Sequence, residues 1–170
     1  MIIKKIEVKN ISYYARGSEE TPCYNATVYI NGKKAIEISN EGRGGMDMQH
    51  QYDGFEHGIV QQANEWCIKT YGKKTHSYNS NGENKSFTYD YDLESLCQDA
   101  LYDWLDSKSL KKDLKNKYLF LEDGKLIAYK KSPKDTDVTF KQFFEKKHPK
   151  NICLNFLPFE KALELYKGAK

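Results

Sequence analysis

Apolar side chains recur along this chain at two periods, and the switches between them mark out its elements. The opening stretch, IIKKIEVKNISYYA, is rich in Ile, Val and Tyr with partial alternation and predicts a long strand. Residues 23–30, CYNATVYI, put Cys23, Asn25, Thr27 and Tyr29 on one side and Tyr24, Ala26, Val28 and Ile30 on the other. Asn31-Gly32 then supplies the two positive-φ residues of a tight hairpin turn, and KKAIEISN returns as the partner strand. From about Phe55 the period lengthens: Ile59, Ala63, Trp66 and Cys67 follow helical spacing, and Gly72 ends the run. A second helix starts near Asp92. Its apolar face is Leu93, Leu96, Cys97, Ala100, Leu101, Trp104 and Leu105, with Glu94, Asp99, Asp103 and Asp106 expected to point away, and SLKKDLKNK continuing it. KYLFLEDGKLIAYKK predicts a second hairpin with Asp-Gly at its tip, and VTFKQFFEKKHP a short helix stopped by Pro149. NICLN predicts a short strand, and LPFEKALELYKG a closing helix with Pro158 in its first turn and Gly168 after it.

Two stretches carry neither period. EGRGGMDMQHQYDG is expected to be loop. Residues 72–90 hold Gly, Asn and Ser without an apolar stripe and predict an exposed excursion, either a mobile loop or a β-excursion, since KSFTYDYD has strand character. Hairpins with inserted helices, and no regular βαβ alternation, predict an α+β fold. The expected architecture is a mainly antiparallel sheet built from two hairpins plus a short strand, with three to four helices packed on it. No repeat or linker divides residues 1–170, so a single domain is expected.

Composition adds an aromatic core, for thirteen Tyr and eight Phe let rings pack while hydroxyls stay at the water boundary. No apolar run approaches a membrane span, and Lys4, Lys5 and Lys9 interrupt the place where a signal peptide would need its apolar centre. A soluble intracellular protein without membrane contact is expected. Cys23, Cys67, Cys97 and Cys153 form no C-x-x-C pair and are expected as reduced thiols packed as small apolar groups. The net charge of +3 conceals a segregation: residues 1–54 balance, residues 55–106 carry −5 and residues 107–170 carry +8. Lysines in the last third, among them Lys108, Lys111, Lys112, Lys115, Lys117, Lys130, Lys131 and Lys134, could make weak contact with nucleic-acid phosphates.

The densest chemistry is Asn40-Glu41-Gly42-Arg43-Gly44-Gly45. Its glycines permit positive φ, successive N–H groups there can cup an anion, and Arg43 can add a forked donor. The spacing is neither a P-loop nor a dinucleotide fingerprint, and a wide turn leaving an edge strand explains it equally. Reversal at Asn31-Gly32 should bring Glu19, Glu20 and Thr21 to the same sheet end. There the acids can clasp Arg43, offer a binding surface, or act as a general base if buried. Asp47, His50, Asp53, Glu56 and His57 lack any familiar metal spacing, and no metal or cofactor is expected. His76 and His148 have no nucleophile arranged beside them.

Ser18-Glu19-Glu20-Thr21, Cys23-Tyr24, Ala26, Gly32 and the spaced Asn40, Gly42, Gly44 and Gly45 form a pattern, extended by LESL at 93–96 and LNFLPFEKALELY at 154–166. This pattern resembles a family of small proteins widespread in tailed bacteriophages and prophages. Met46 stands where that pattern has Cys. The resemblance implies a phage or mobile-element origin and supplies no catalytic residues. The resulting expectation is a non-enzymatic accessory protein in the cytoplasm of a bacterial host. It would bind a host protein or ribonucleoprotein as an anti-CRISPR-like inhibitor of defence, through Glu19, Glu20, Thr21, Tyr24, Asn40, Glu41, Arg43, Gly44 and Gly45. Two alternatives stand beside it: an enzyme acting on a phosphate-bearing small molecule or nucleic acid, and a nucleic-acid-binding protein using the basic last third.

Overall fold

A computed structural model describes residues 1–134 and 136–169, and within them the chain is α+β with entirely antiparallel strand pairing. It divides into two compact units, Met1–Tyr102 and Asp103–Lys170. The expected class holds, but the two predicted hairpins do not share one sheet. The described strands form a four-stranded, a two-stranded and a three-stranded sheet. Alternation predicts which face of a strand is buried and leaves open which other hairpin it joins.

The first unit is built on β1 (Ile6–Tyr13), β2 (Cys23–Ile30), β3 (Lys33–Glu41) and β4 (Met48–Gln51), paired in that order. The turn between β2 and β3 has φ values of 50° at Asn31 and 83° at Gly32, the positive pair that Asn-Gly accommodates. Asn31 also anchors the start of the chain: its Oδ1 accepts from the Lys4 and Lys5 amides, and its Nδ2 donates to the Ile2 carbonyl. The inward phase of β2 (Tyr24, Ala26, Val28, Ile30) and of β3 (Ile36, Ile38, Asn40) is buried as the alternation requires. Strand β4 lies inside the stretch expected to be loop. Its sequence MQHQ has no apolar alternation and is mostly exposed, so only its pairing with β3, Ser39 opposite Met48 through Ile36 opposite Gln51, makes it a strand.

Helix α1 (Ile59–Tyr71) buries Ile59, Ala63 and Cys67 and ends at Gly72, whose φ of 72° suits a residue without a Cβ. The 72–90 excursion is a regular hairpin, β5 (Lys73–Ser80) with β6 (Glu83–Asp90), turning at Asn81-Gly82. Helix α2 (Leu93–Asn116) opens on Asp92, whose Oδ1 accepts from the Ser95 amide at 2.9 Å. Its first turns bury Leu93, Cys97 and Leu101 in the first unit.

In the second unit β7 (Lys117–Glu122) pairs with β8 (Lys125–Lys130) and with β9 (Ile152–Cys153). One cluster joins Leu110 of α2 and Leu119 of β7 to Leu154, Ala162 and Tyr166, the last two on α4 (Phe159–Gly168). The other stacks Tyr118 on Phe140 and sets Phe120 edge-on to Phe144, both partners on α3 (Asp137–Lys147). Pro158 caps α4 rather than entering its first turn, and Gly168 is its last residue. All four cysteines are free thiols, Cys67, Cys97 and Cys153 are buried, and burial pushes the Cys67 thiol up to about 12. No described helix is long and apolar enough to cross a membrane.

Candidate functional site

The β2–β3 hairpin carries the 18–24 and 40–50 segments to a common rim, since Cys23 lies opposite Glu41 and Tyr24 opposite Asn40. Backbone contacts tie the segments together. The Gly42 carbonyl accepts from the amides of Glu19 and Glu20, each at 2.9 Å, and of Thr21 at 3.4 Å. Only glycine fits at 42: φ is +84°, and a Cβ would lie 2.0 Å from the Gly17 carbonyl oxygen.

Beneath this rim is a buried polar network centred on Asn40. Its Oδ1 accepts from Thr21 Oγ1 at 2.7 Å and from the Gly42 amide at 2.8 Å. Its Nδ2 donates to Asp47 Oδ1 at 3.0 Å and to the Gly45 carbonyl at 3.4 Å. The second Asp47 carboxylate oxygen accepts from the Tyr24 hydroxyl. Burial and that carboxylate push the Tyr24 phenol well above its ordinary range, so it remains a donor. Thr21 Oγ1 in turn accepts from the Gly44 amide at 3.2 Å. Each buried side chain in the set is thus satisfied by another, the condition that lets a polar cluster rigidify rather than destabilise a core.

The wiring decides between roles for the predicted residues. Tyr24 and Asn40 are buried and face inward, and Thr21 is half-buried, so these three support the rim. Glu19, Glu20, Glu41, Arg43, Gly44 and Gly45 are exposed on it. Of the three roles open to Glu19 and Glu20, the clasp on Arg43 does not form: among the described residues Arg43 makes no ion pair. The Glu20 carboxylate instead lies against Gly44, where a Cβ would meet Oε2 at 2.6 Å. The anion cup suggested by the glycines is also partly consumed, because the Gly42 and Gly44 amides donate to Asn40 and Thr21.

Three residues escaped the sequence reading in these roles. Asp47, which belongs to no familiar metal spacing, is the buried acceptor of the network. Glu94, expected to point away from α2, accepts from the Asp47 backbone, and desolvation and then the Asp47 charge raise its carboxyl above the usual 4.5. Met46, in the stretch expected to be loop, is 83% exposed. One signal was available: Asn40 continues the inward phase of Ile36 and Ile38, and a buried Asn needs partners. Among the described residues no group of three or more His, Cys, Asp or Glu side chains is placed to hold a metal ion.

No family model, curated protein or solved structure matches this chain. What the rim can do follows from its own chemistry. It offers an uncovered thioether, one guanidinium and the carboxylates of Glu19, Glu20 and Glu41 on a braced backbone.

Proposed function

We propose that this protein is a non-enzymatic binding protein whose rim, residues 18–24 and 40–50, engages a host protein or ribonucleoprotein. The observation that carries this reading is the split between inner and outer side chains. Thr21, Tyr24, Asn40 and Asp47 spend their polar groups on one another, while Arg43 and Met46 stand exposed on the loop they brace. A loop held rigid before it meets a partner loses little freedom on binding, which is how a small surface gains affinity. Met is an adaptable apolar contact and Arg a frequent anchor at interfaces. The likeness of these segments to small proteins of tailed phages supports a phage or mobile-element origin, and with it an anti-CRISPR-like role against host defence.

Affinity capture from bacterial host lysate tests the binding. Wild type and Lys34→Ala, altered at the opposite end of the hairpin, are expected to retain a common component that Arg43→Glu combined with Met46→Asp loses. A double variant with wild-type circular dichroism and melting that retains every component would remove the rim from the interface. Expression in a CRISPR-immune host tests the narrower role: restored plaque formation supports it, and unchanged immunity excludes it.

A further inference from the structure

The second unit carries a surface of opposite character. Residues 107–170 have a net charge of +8, and between β8 and α3 lies an open groove of about 390 Å³ lined by Tyr129, Lys130, Thr139, Phe140 and Phe143. Its floor is Phe140, buried and stacked on Tyr118 with ring centroids 3.6 Å apart. Its sides are Tyr129 from β8 and Phe143 from α3, which remain 38% and 44% exposed despite their size. Tyr129 is held by edge contacts to Phe120 and Phe140 and by a 3.3 Å hydrogen bond between its hydroxyl and His148 Nε2. Phe143 keeps one ring contact, to Phe140.

Positive charge borders these rings. Lys130 is in the groove wall, and Lys146 and Lys147 lie three and four residues beyond Phe143, hence on the same face of α3 one turn on. Among the described residues these three lysines have no acidic partner, whereas Lys131 and Lys141 reach Asp137 and Glu145 at 3.7 and 3.9 Å. Exposed rings with unneutralised ammonium groups alongside match a strand whose bases are free to stack and whose phosphates run beside them. Paired bases in a duplex already stack on one another and offer the rings no free face.

We infer that the groove between β8 and α3 binds single-stranded nucleic acid, with Tyr129 and Phe143 stacking bases and Lys130, Lys146 and Lys147 contacting phosphates. Fluorescence anisotropy of the full-length protein with labelled oligothymidylate, oligouridylate and a mixed-sequence duplex tests it. Single strands are expected to bind more tightly than the duplex. Phe143→Ala is expected to weaken them about 5- to 100-fold with an unchanged melting temperature, and Phe143→Trp to retain binding. Joint Lys146→Ala and Lys147→Ala should flatten the logarithmic salt slope by about 1.4, since each single-strand phosphate contact contributes roughly 0.7. The inference falls if neither single strand binds at low salt, if Phe143→Ala leaves affinity intact, or if polyglutamate competes as well as an oligonucleotide, which would indicate an acidic protein ligand. The Arg43→Glu, Met46→Asp variant should bind oligonucleotides like wild type, which separates failure here from failure of the rim proposal.

Discussion

Two hairpins in the first unit turn on the same dipeptide and meet opposite fates. Asn31-Gly32 and Asn81-Gly82 adopt nearly identical backbones, with φ of 50° and 83° in one and 55° and 83° in the other. Strands β2 and β3 then bury Val28, Ile30, Ile36 and Ile38 completely, whereas every residue of β6 is exposed and β5 is exposed up to Asn79. The outer hairpin holds itself together across its own faces. His76, Tyr78, Phe87 and Tyr89 form a ladder of rings on one face, and Thr75 bonds Thr88 at 2.9 Å on the other. Such cross-strand pairs contribute roughly 0.2–1 kcal/mol each, while burying an Ile contributes about 1.5–3 kcal/mol. Turn chemistry therefore decides where the chain reverses, and the apolar phase decides whether the product becomes core.

The sharpest way to break this comparison is to truncate one side chain in each hairpin. Ile38→Ala is expected to cost about 2–5 kcal/mol in urea unfolding, and Tyr78→Ala no more than about 0.5–1 kcal/mol. Equal losses would mean that the outer hairpin contributes to the core after all. The glycines give a second, smaller contrast. Gly82→Ala meets nothing within 4 Å and carries only the strain of positive φ, about 1–2 kcal/mol. Gly42→Ala carries the same strain and drives a methyl into the Gly17 carbonyl, adding roughly 1–3 kcal/mol and displacing the rim. If thermal denaturation ranks the two alike, the tie through Gly42 does not hold the loop.

The smallest effect concerns charge beneath the first hairpin. Desolvation and the neighbouring Asp47 raise the Glu94 carboxyl, so the folded protein holds that proton more firmly than the unfolded chain. Its stabilising contribution is complete below the ordinary value of 4.5 and is lost as pH rises through the folded value. Glu94→Gln removes that loss. The variant should match wild type in urea midpoint near about pH 3.5 and exceed it near about pH 7. A wild type that gains on the variant as pH rises would place Glu94 in a stabilising ionic contact instead.

The candidate rim was half legible. The convergence of residues 18–24 and 40–50 follows from one turn and two alternating strands, all of it local information. The division of labour within the rim was legible only at Asn40, which shares the strand phase of Ile36 and Ile38; Thr21 and Asp47 lie outside any alternating run, and a linear reading places them on the surface. Their inward orientation depends on the close approach of Gly42 to Gly17, a contact across two strands, and on β4 returning beside β3, which no apolar pattern in MQHQ announces. Strand β4 shows the same limit: MQHQ has no strand pattern, and its partner made it one.

By itself the amino-acid sequence determined the local structure: the reversals at Asn31-Gly32 and Asp123-Gly124, the apolar stripe of α2, and the phase that sends Val28 and Ile38 inward. These depend on φ preferences and on side-chain periods, which neighbouring residues settle among themselves. Tertiary structure alone decided that the hairpins belong to separate sheets, that Asp47 is the acceptor Asn40 finds while Arg43 stays exposed, and that Tyr129 and Phe143 line one groove. Those outcomes depend on which distant surfaces exclude water from one another, a choice that no single stretch of chain encodes.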